Sequence, residues 1–196
     1  MTTAPDTSSA PDETVTDEPL RSQAAMLAAE MTTGIVAIDG PSGAGKSTFA
    51  DLLVEELAAR GTGVALVRTD HYATWDNPAA WWPDFETEII HPFLRRRDYA
   101  YRPLMWDADG IPTPGAKTII RWQPLLVIEG VTSARRRIAD RLTHSLWLDG
   151  GDATTRLERA VARDGEINRD NLIRWQNFER GWYAVDATRA RCRIVD

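Results

Sequence analysis

Three kinds of residue in this chain have the types and spacing to act on a phosphate ester: a lysine that follows a run of glycines, two carboxylates that end apolar runs, and two arginines four residues apart. The lysine is Lys46, within Gly40-Pro41-Ser42-Gly43-Ala44-Gly45-Lys46-Ser47-Thr48. This stretch satisfies the pattern G-x-x-x-x-G-K-[ST], and it sits between an apolar run and a helix-forming run, as a phosphate-cradling loop requires. Gly40, Gly43 and Gly45 let the backbone turn so that successive N–H groups, with those of Ser42 and Ala44 among them, point at anionic oxygens. The following helix adds the positive end of its dipole. In this pattern Lys46 can reach the outer phosphates of a nucleotide, the Ser47 hydroxyl can ligate magnesium, and Thr48 is placed to bond an inner phosphate.

The carboxylates are Asp70, at the end of "VRTDHY", and Glu129, at the end of "LLVIEG". An acid at a strand end can simply cap the helix that follows. Behind a phosphate loop the same position projects it toward the phosphates, where magnesium compensates its charge. Both residues are therefore candidates to hold the ion. Arg159 and Arg163 share one face of the segment "RLERAVARD" if that segment is helical, so both guanidinium groups could reach the same phosphate oxygens. A solvated helix face is the bland alternative.

Residues so far apart need a scaffold. Five runs, at 34–39, 63–70, 125–130, 145–150 and 192–196, are apolar without alternation, as strands buried on both faces are. Helix-forming stretches fill most gaps, at about 46–60, 84–97, 133–142, 153–163 and 171–182. This order predicts an α/β fold: a doubly wound, five-stranded parallel sheet with helices on both faces, ligands at its carboxyl edge, and a small helical lid at about 156–170.

At 196 residues the chain suits one domain, placed here at 33–196. Residues 1–19 lack large apolar side chains and predict a disordered acidic tail, and 20–31 predict a short helix packed on the domain. Residues 1–33 carry −5 of the net charge of −6, so the near-neutral body argues against a nucleic-acid partner. No apolar run approaches the roughly 20 residues that span a bilayer, and the start lacks a signal core, so no membrane is expected and a cytoplasmic location is. Cys192 is the only cysteine, which excludes an internal disulfide and a multi-cysteine zinc site. Arginine supplies nearly all the positive charge, and the clusters Arg95 to Arg97 and Arg135 to Arg137 are expected on solvated helix surface.

With "GPSGAGKST", "DHY", "WDNP", "VIEG" and "RLERAVARD" in that order over residues 34–170, the chain resembles the uridine kinase family of P-loop kinases and, more loosely, phosphoribulokinase and pantothenate kinase. The resemblance implies transfer of the γ-phosphoryl group of ATP, with magnesium, to a hydroxyl of a small molecule, foremost the 5′-hydroxyl of a pyrimidine nucleoside. It implies that Asp70 acts as base beside that hydroxyl with Tyr72 in support, that Glu129 helps hold magnesium, and that Asp76 grips ribose hydroxyls. Asp107 falls near the family's base pocket, with Trp106 where the family has tyrosine. Arg159 and Arg163 match lid arginines, Arg169 is a further substrate-binding candidate, and Arg156 is structural.

The chain departs from the family where the acceptor is read. The link from Asp70 to Asp76 is short, and no histidine follows "WDADG". Another nucleoside, a pantothenate-like molecule or a sugar stays open as acceptor, as does a homo-oligomeric state. Tryptophans mostly fill gaps in a core, but Trp75 and Trp106, beside Asp76 and Asp107, are expected at the substrate. The alternative is a regulatory protein that hydrolyses or senses the nucleotide; the N-K-x-D motif of guanine-nucleotide switches is absent.

Overall fold

The five apolar runs form one parallel sheet because neither face of any of them is polar enough to meet water. A computed structural model of the chain describes residues 14–107 and 109–195. The strands are β1 (Gly34–Asp39), β2 (Val64–Arg68), β7 (Leu125–Glu129), β8 (His144–Leu148) and β9 (Arg193–Val195), in spatial order β2-β7-β1-β8-β9. The pleat divides the core in two. Val36, Ile38, Leu125 and Val127 face the first helices, whereas Ile35, Leu126 and Ile128 face Trp82, Phe85 and Ile89 on the other side. Register matters most at the carboxyl edge: Glu129 pairs with Ile38 on one side and Arg68 on the other, so the loops after β1, β2 and β7 emerge together.

On the first face α1 (Thr14–Ala28) packs on α2 (Lys46–Ala59), burying Ala24, Leu27 and Ala28. The helix starts six residues before the expected Leu20, so residues 14–19 are helical rather than disordered. A docked helix extends cheaply, because the costly nucleus is already formed. The expected tail at 1–13 lies outside the described residues. On the second face α3 (Trp82–Phe85), a π-helical turn (Glu86–Ile90) and α4 (His91–Leu94) run on as one bent rod. Pro92 has no N–H to give the preceding turn, and the wider turn absorbs that loss.

Two sequence expectations need correction here. The stretch 133–142 is a tight 3₁₀ turn (Arg136–Arg141) rather than an α-helix, and its first N–H, on Arg136, is spent on the Asp186 carboxylate at 3.1 Å. Arg135 is not on solvated surface. It is 5% exposed, with its guanidinium 4.1 Å from the Trp82 ring centroid, 5.0 Å from that of Trp182 and 5.1 Å from that of Trp81. Three indoles and bonds to the Thr132 and Ala79 carbonyls replace its hydration.

Between Tyr99 and Ile120 the chain forms two antiparallel pairs that the periodicity does not announce: β3 (Tyr99–Tyr101) with β6 (Thr118–Ile120), and β4 (Leu104–Trp106) with β5 (Pro112–Pro114). Strands of three residues are too short to show alternation. They lift Trp106 and Asp107 over the sheet edge. The last helices are α5 (Ala153–Asp164), whose N-terminal N–H groups are capped by Asp152, and α6 (Arg169–Asp186). Among the described residues no helix is long and apolar enough to cross a membrane.

Candidate active site

The loop after β1 is shaped by what cannot fit there. Gly43 has φ +74°, and a β-carbon on it would lie 2.2 Å from the Arg156 carbonyl oxygen, so only glycine lets the loop pass beneath α5. Gly45, also left-handed, precedes α2, which has no side-chain cap and no acid in its first turn. Its first N–H groups are thus left to an anion. Lys46 is 7% exposed and its Nζ donates to the Pro41 carbonyl at 2.9 Å, curling back over the loop. Ala44 is buried, and Ser47 and Thr48 are exposed at the loop's mouth.

Glu129, 2% exposed, ends β7 beside the loop and accepts from Ser47 Oγ at 3.3 Å. Its second partner is Arg68 Nε, also at 3.3 Å, whose guanidinium continues to Asp51 at 2.6 Å. Burial pushes the Glu129 carboxyl up to about 7; nearby Asp70 adds to the rise, and Lys46 and Arg68 oppose it. Asp70 lies two residues past the end of β2, in a one-turn 3₁₀ segment (Thr69–His71), with its side chain exposed. Among the described residues no cluster of three or more His, Cys, Asp or Glu could hold a metal by itself. That donor set fits magnesium, which commonly takes one or two protein oxygens and completes its shell with phosphate oxygens and water.

These groups open onto one cavity of about 490 Å³. Ser42, Lys46, Ser47, Asp70, Glu129 and Arg163 line the phosphate side, and Trp75, Trp106, Asp107, Asp164, Asn168 and Trp175 line the rest. Of the arginines expected in a lid, Arg163 lines the cavity, held in a two-point bond with Asp164 at 2.6 Å for each contact. Arg159 reaches the rim of the phosphate loop, donating to the Gly43 carbonyl at 3.1 Å and that of Gly150 at 2.9 Å. Arg156 donates to the Asp149 and Gly151 carbonyls and closes the turn before α5.

Other expected substrate residues lie elsewhere. Arg169 is bound to Glu158 at 2.7 Å and to Glu166, away from the cavity lining. Asp76 is exposed in the turn after Trp75 and does not line the cavity. Tyr72 stands behind the lining: its hydroxyl donates to Glu88 at 2.9 Å, its ring stacks on Tyr101 at 5.6 Å, and burial pushes its phenol far above the ordinary range. Trp75 and Trp106 do line it, edge to face at 5.0 Å.

The sequence reading missed the role of α6. Leu172, Trp175, Glu179 and Tyr183 form a stripe at helical spacing. Leu172 and Trp175 line the cavity. Glu179, 2% exposed, accepts from the Ser42 N–H at 2.8 Å, and the Tyr183 hydroxyl donates to buried Asp39 at 2.7 Å. Asp39 also accepts from the N–H groups of Gly40, Thr132 and Ala134, and so ties the phosphate loop to the loop after β7. An acid within an otherwise aromatic and aliphatic stripe was the available signal.

No protein-family model matches the chain, and no curated protein matches it in sequence. Solved structures do. A candidate uridine kinase from Bacillus stearothermophilus aligns over 90% of this chain and 99% of its own, at 15% identity and a TM-score of 0.65. A candidate fructose transport system kinase from Silicibacter sp. TM1040 aligns over 86% of this chain and 94% of its own, at 21% identity and the same TM-score. The YGR205w protein aligns over 87% and 85%, at 11% identity and a TM-score of 0.52. At such identities the likeness is one of backbone, and it matches what the motifs led us to expect: this chain has the fold of the uridine kinase-like P-loop kinases.

Proposed function

We propose that the protein is an ATP- and magnesium-dependent kinase that passes the γ-phosphoryl group to a hydroxyl of a small molecule, with the 5′-hydroxyl of a pyrimidine nucleoside as the leading acceptor. The observation that carries this reading is the shared cavity. It holds Lys46 and Ser47 of the phosphate loop, the buried acid Glu129, the exposed acid Asp70 and the lid arginine Arg163 within one space.

Each group then has a task. The loop's N–H groups and Lys46 bind the triphosphate, while Ser47 and Glu129, with Asp70 nearby, would hold magnesium, which offsets charge on the phosphates. Asp70 orients the acceptor hydroxyl and takes its proton late, since a loose phosphoryl-transfer transition state needs little early proton loss. Arg163, and Arg159 from the rim, stabilise the transferring group from the lid at 156–170. Closure of that lid excludes water, the competing acceptor, from a cytoplasmic enzyme surrounded by it.

Purified protein with magnesium ATP and a panel of nucleosides, sugars and pantothenate should release ADP only when a suitable acceptor is present. Hydrolysis that runs as fast without any acceptor would replace the kinase reading with that of a nucleotide-hydrolysing regulatory protein.

A further inference from the structure

Thr132, in the turn after β7, holds a backbone conformation that its own side chain opposes. Its φ is +67°, and it is fully buried. A β-branched residue in the left-handed region is a true outlier, because Cβ crowds the carbonyl oxygen. Among the described residues two other non-glycine residues have positive φ, Arg96 and Ala187. Both are exposed and follow the ends of α4 and α6, where a left-handed residue is an ordinary way to stop a helix. Thr132 ends no helix.

Strain of this kind persists only where the surroundings over-determine it. Here the Thr132 N–H donates to Asp39 Oδ1 at 3.0 Å, its carbonyl accepts from Arg135 Nε at 3.1 Å, and its hydroxyl oxygen accepts from Arg135 Nη2 at 2.6 Å. Arg135 can give both bonds because the indoles of Trp81, Trp82 and Trp182 surround its guanidinium and fix it. The turn held in this way meets three parts of the candidate active site. Glu129 immediately precedes it, and Val131 within it lines the cavity. The Val131 carbonyl accepts from the hydroxyl of Thr69, the residue before Asp70, at 3.4 Å. The Asp39 oxygen that takes the Thr132 N–H also takes that of Gly40, which opens the phosphate loop, at 2.7 Å.

We infer that Thr132 and Arg135 are positioning residues: Arg135 clamps Thr132 in the left-handed conformation, and that conformation holds the phosphate loop, Glu129 and the Asp70 turn in one arrangement for a magnesium-bound nucleotide. The inference rests on the nucleotide-binding reading of the site and extends it to two residues that do not line the cavity. Relaxation of Thr132 to a negative φ would redirect the chain on either side of it, so that the Thr132 and Ala134 N–H groups could not both stay on Asp39. Glycine adopts this φ without strain and needs no clamp. Valine keeps the shape and the strain of threonine and lacks the hydroxyl that Arg135 holds.

The order of a few substitutions separates this role from plain packing. A buried threonine that only fills space tolerates Thr132→Val and suffers from Thr132→Gly, which leaves a void and a looser unfolded chain. A clamped, strained threonine gives the opposite order. Magnesium ADP is titrated by calorimetry into the full chain and its variants. Thr132→Gly should bind within about twofold of the unaltered chain, and Thr132→Val about fivefold more weakly or worse. Arg135→Met, which still fills the space between the indoles but donates no hydrogen bond, should lose about tenfold or more. Most of that loss should return in the double variant Thr132→Gly with Arg135→Met, because glycine keeps the turn unaided. Weaker binding by Thr132→Gly than by Thr132→Val, or a double variant no better than Arg135→Met alone, would overturn the inference. If Arg135→Met does not fold, the order of the two Thr132 variants decides by itself. Thermal unfolding without ligand keeps the two readings apart: the absence of saturable magnesium ADP binding by the unaltered chain counts against the nucleotide site, and a Thr132→Val melting temperature at or above that of Thr132→Gly counts against the clamp.

Discussion

At the end of the cavity proposed for the phosphates the lining comes mainly from one nine-residue loop, through Ser42, Lys46 and Ser47, and from the acid Glu129 at the end of β7, with Asp70 and Arg163 beside them. At the other end it is made of side chains from three distant segments: Trp75, Trp106 with Asp107, and Asn168 with Trp175. The first end depends on glycine geometry and sheet register, the second on how a pair of short hairpins and two helices settle on each other. A phosphate is much the same in every nucleotide, so its binding device can be local and fixed. An acceptor differs from enzyme to enzyme, and its site is assembled from parts that can change without disturbing the sheet.

The two ends should respond differently to substitution. Asp70→Asn, at their junction, should lower turnover about a thousandfold with ATP affinity nearly intact, measured by ADP release and by nucleotide titration. Retained turnover would move the chemistry away from Asp70. Next comes Glu129. Its folded-state value near 7 lies above the 4.5 of the unfolded chain, so the folded form holds the extra proton between those values. The stability contributed by this group is fully present below pH 4.5 and is lost as pH rises through about 7, a difference of about 2 to 3 kcal/mol in ligand-free protein. Urea unfolding at pH 5 and pH 8 should show Glu129→Gln flattening that slope.

Glu179 tests whether the phosphate end is held from outside the loop. Glu179→Ala leaves the Ser42 N–H without its partner and should lower kcat/KM for ATP roughly tenfold or more, with the KM for acceptor unchanged. Glu179→Gln keeps an acceptor oxygen and should restore most of the loss, which a purely structural role would not require. The smallest effect is assigned to Trp75→Ala, which should raise the acceptor KM about fivefold to tenfold and leave nucleotide affinity alone. A change in ATP affinity in that variant would mean that the two ends are not separable.

How much of this was legible varies with the distance over which the information is spread. The glycines around Ser42 and Ala44, the unbroken apolar runs of β1 and β7 and the helical spacing of Arg159 and Arg163 are properties of short windows, and each is found where its window puts it. Asp70 was read at a strand end and lies in the turn beyond, a difference of two residues. Arg135 was misread because nothing in "SARRRIAD" shows that Trp81, Trp82 and Trp182 converge on it. Asn168 and Trp175 gave no signal as cavity residues, since each is ordinary for the helix it occupies or begins. Glu179 gave a weak one, as an acid on a buried stripe.

What the amino-acid order determined by itself is the five strands of the central sheet, most of the helices beside them and the loop that suits a phosphate, because backbone conformation answers to neighbours a few residues away: glycine to the left-handed turn, β-branched and aliphatic side chains to the buried strand. What only the tertiary structure decided is which side chains share a space. The pairing of β7 between β1 and β2 brings Glu129 beside Ser47, and the packing of α6 along the phosphate loop seats Glu179 on Ser42. Those meetings depend on contacts across 82 and 137 residues of chain, formed by burial of apolar surface that has no preferred partner in sequence.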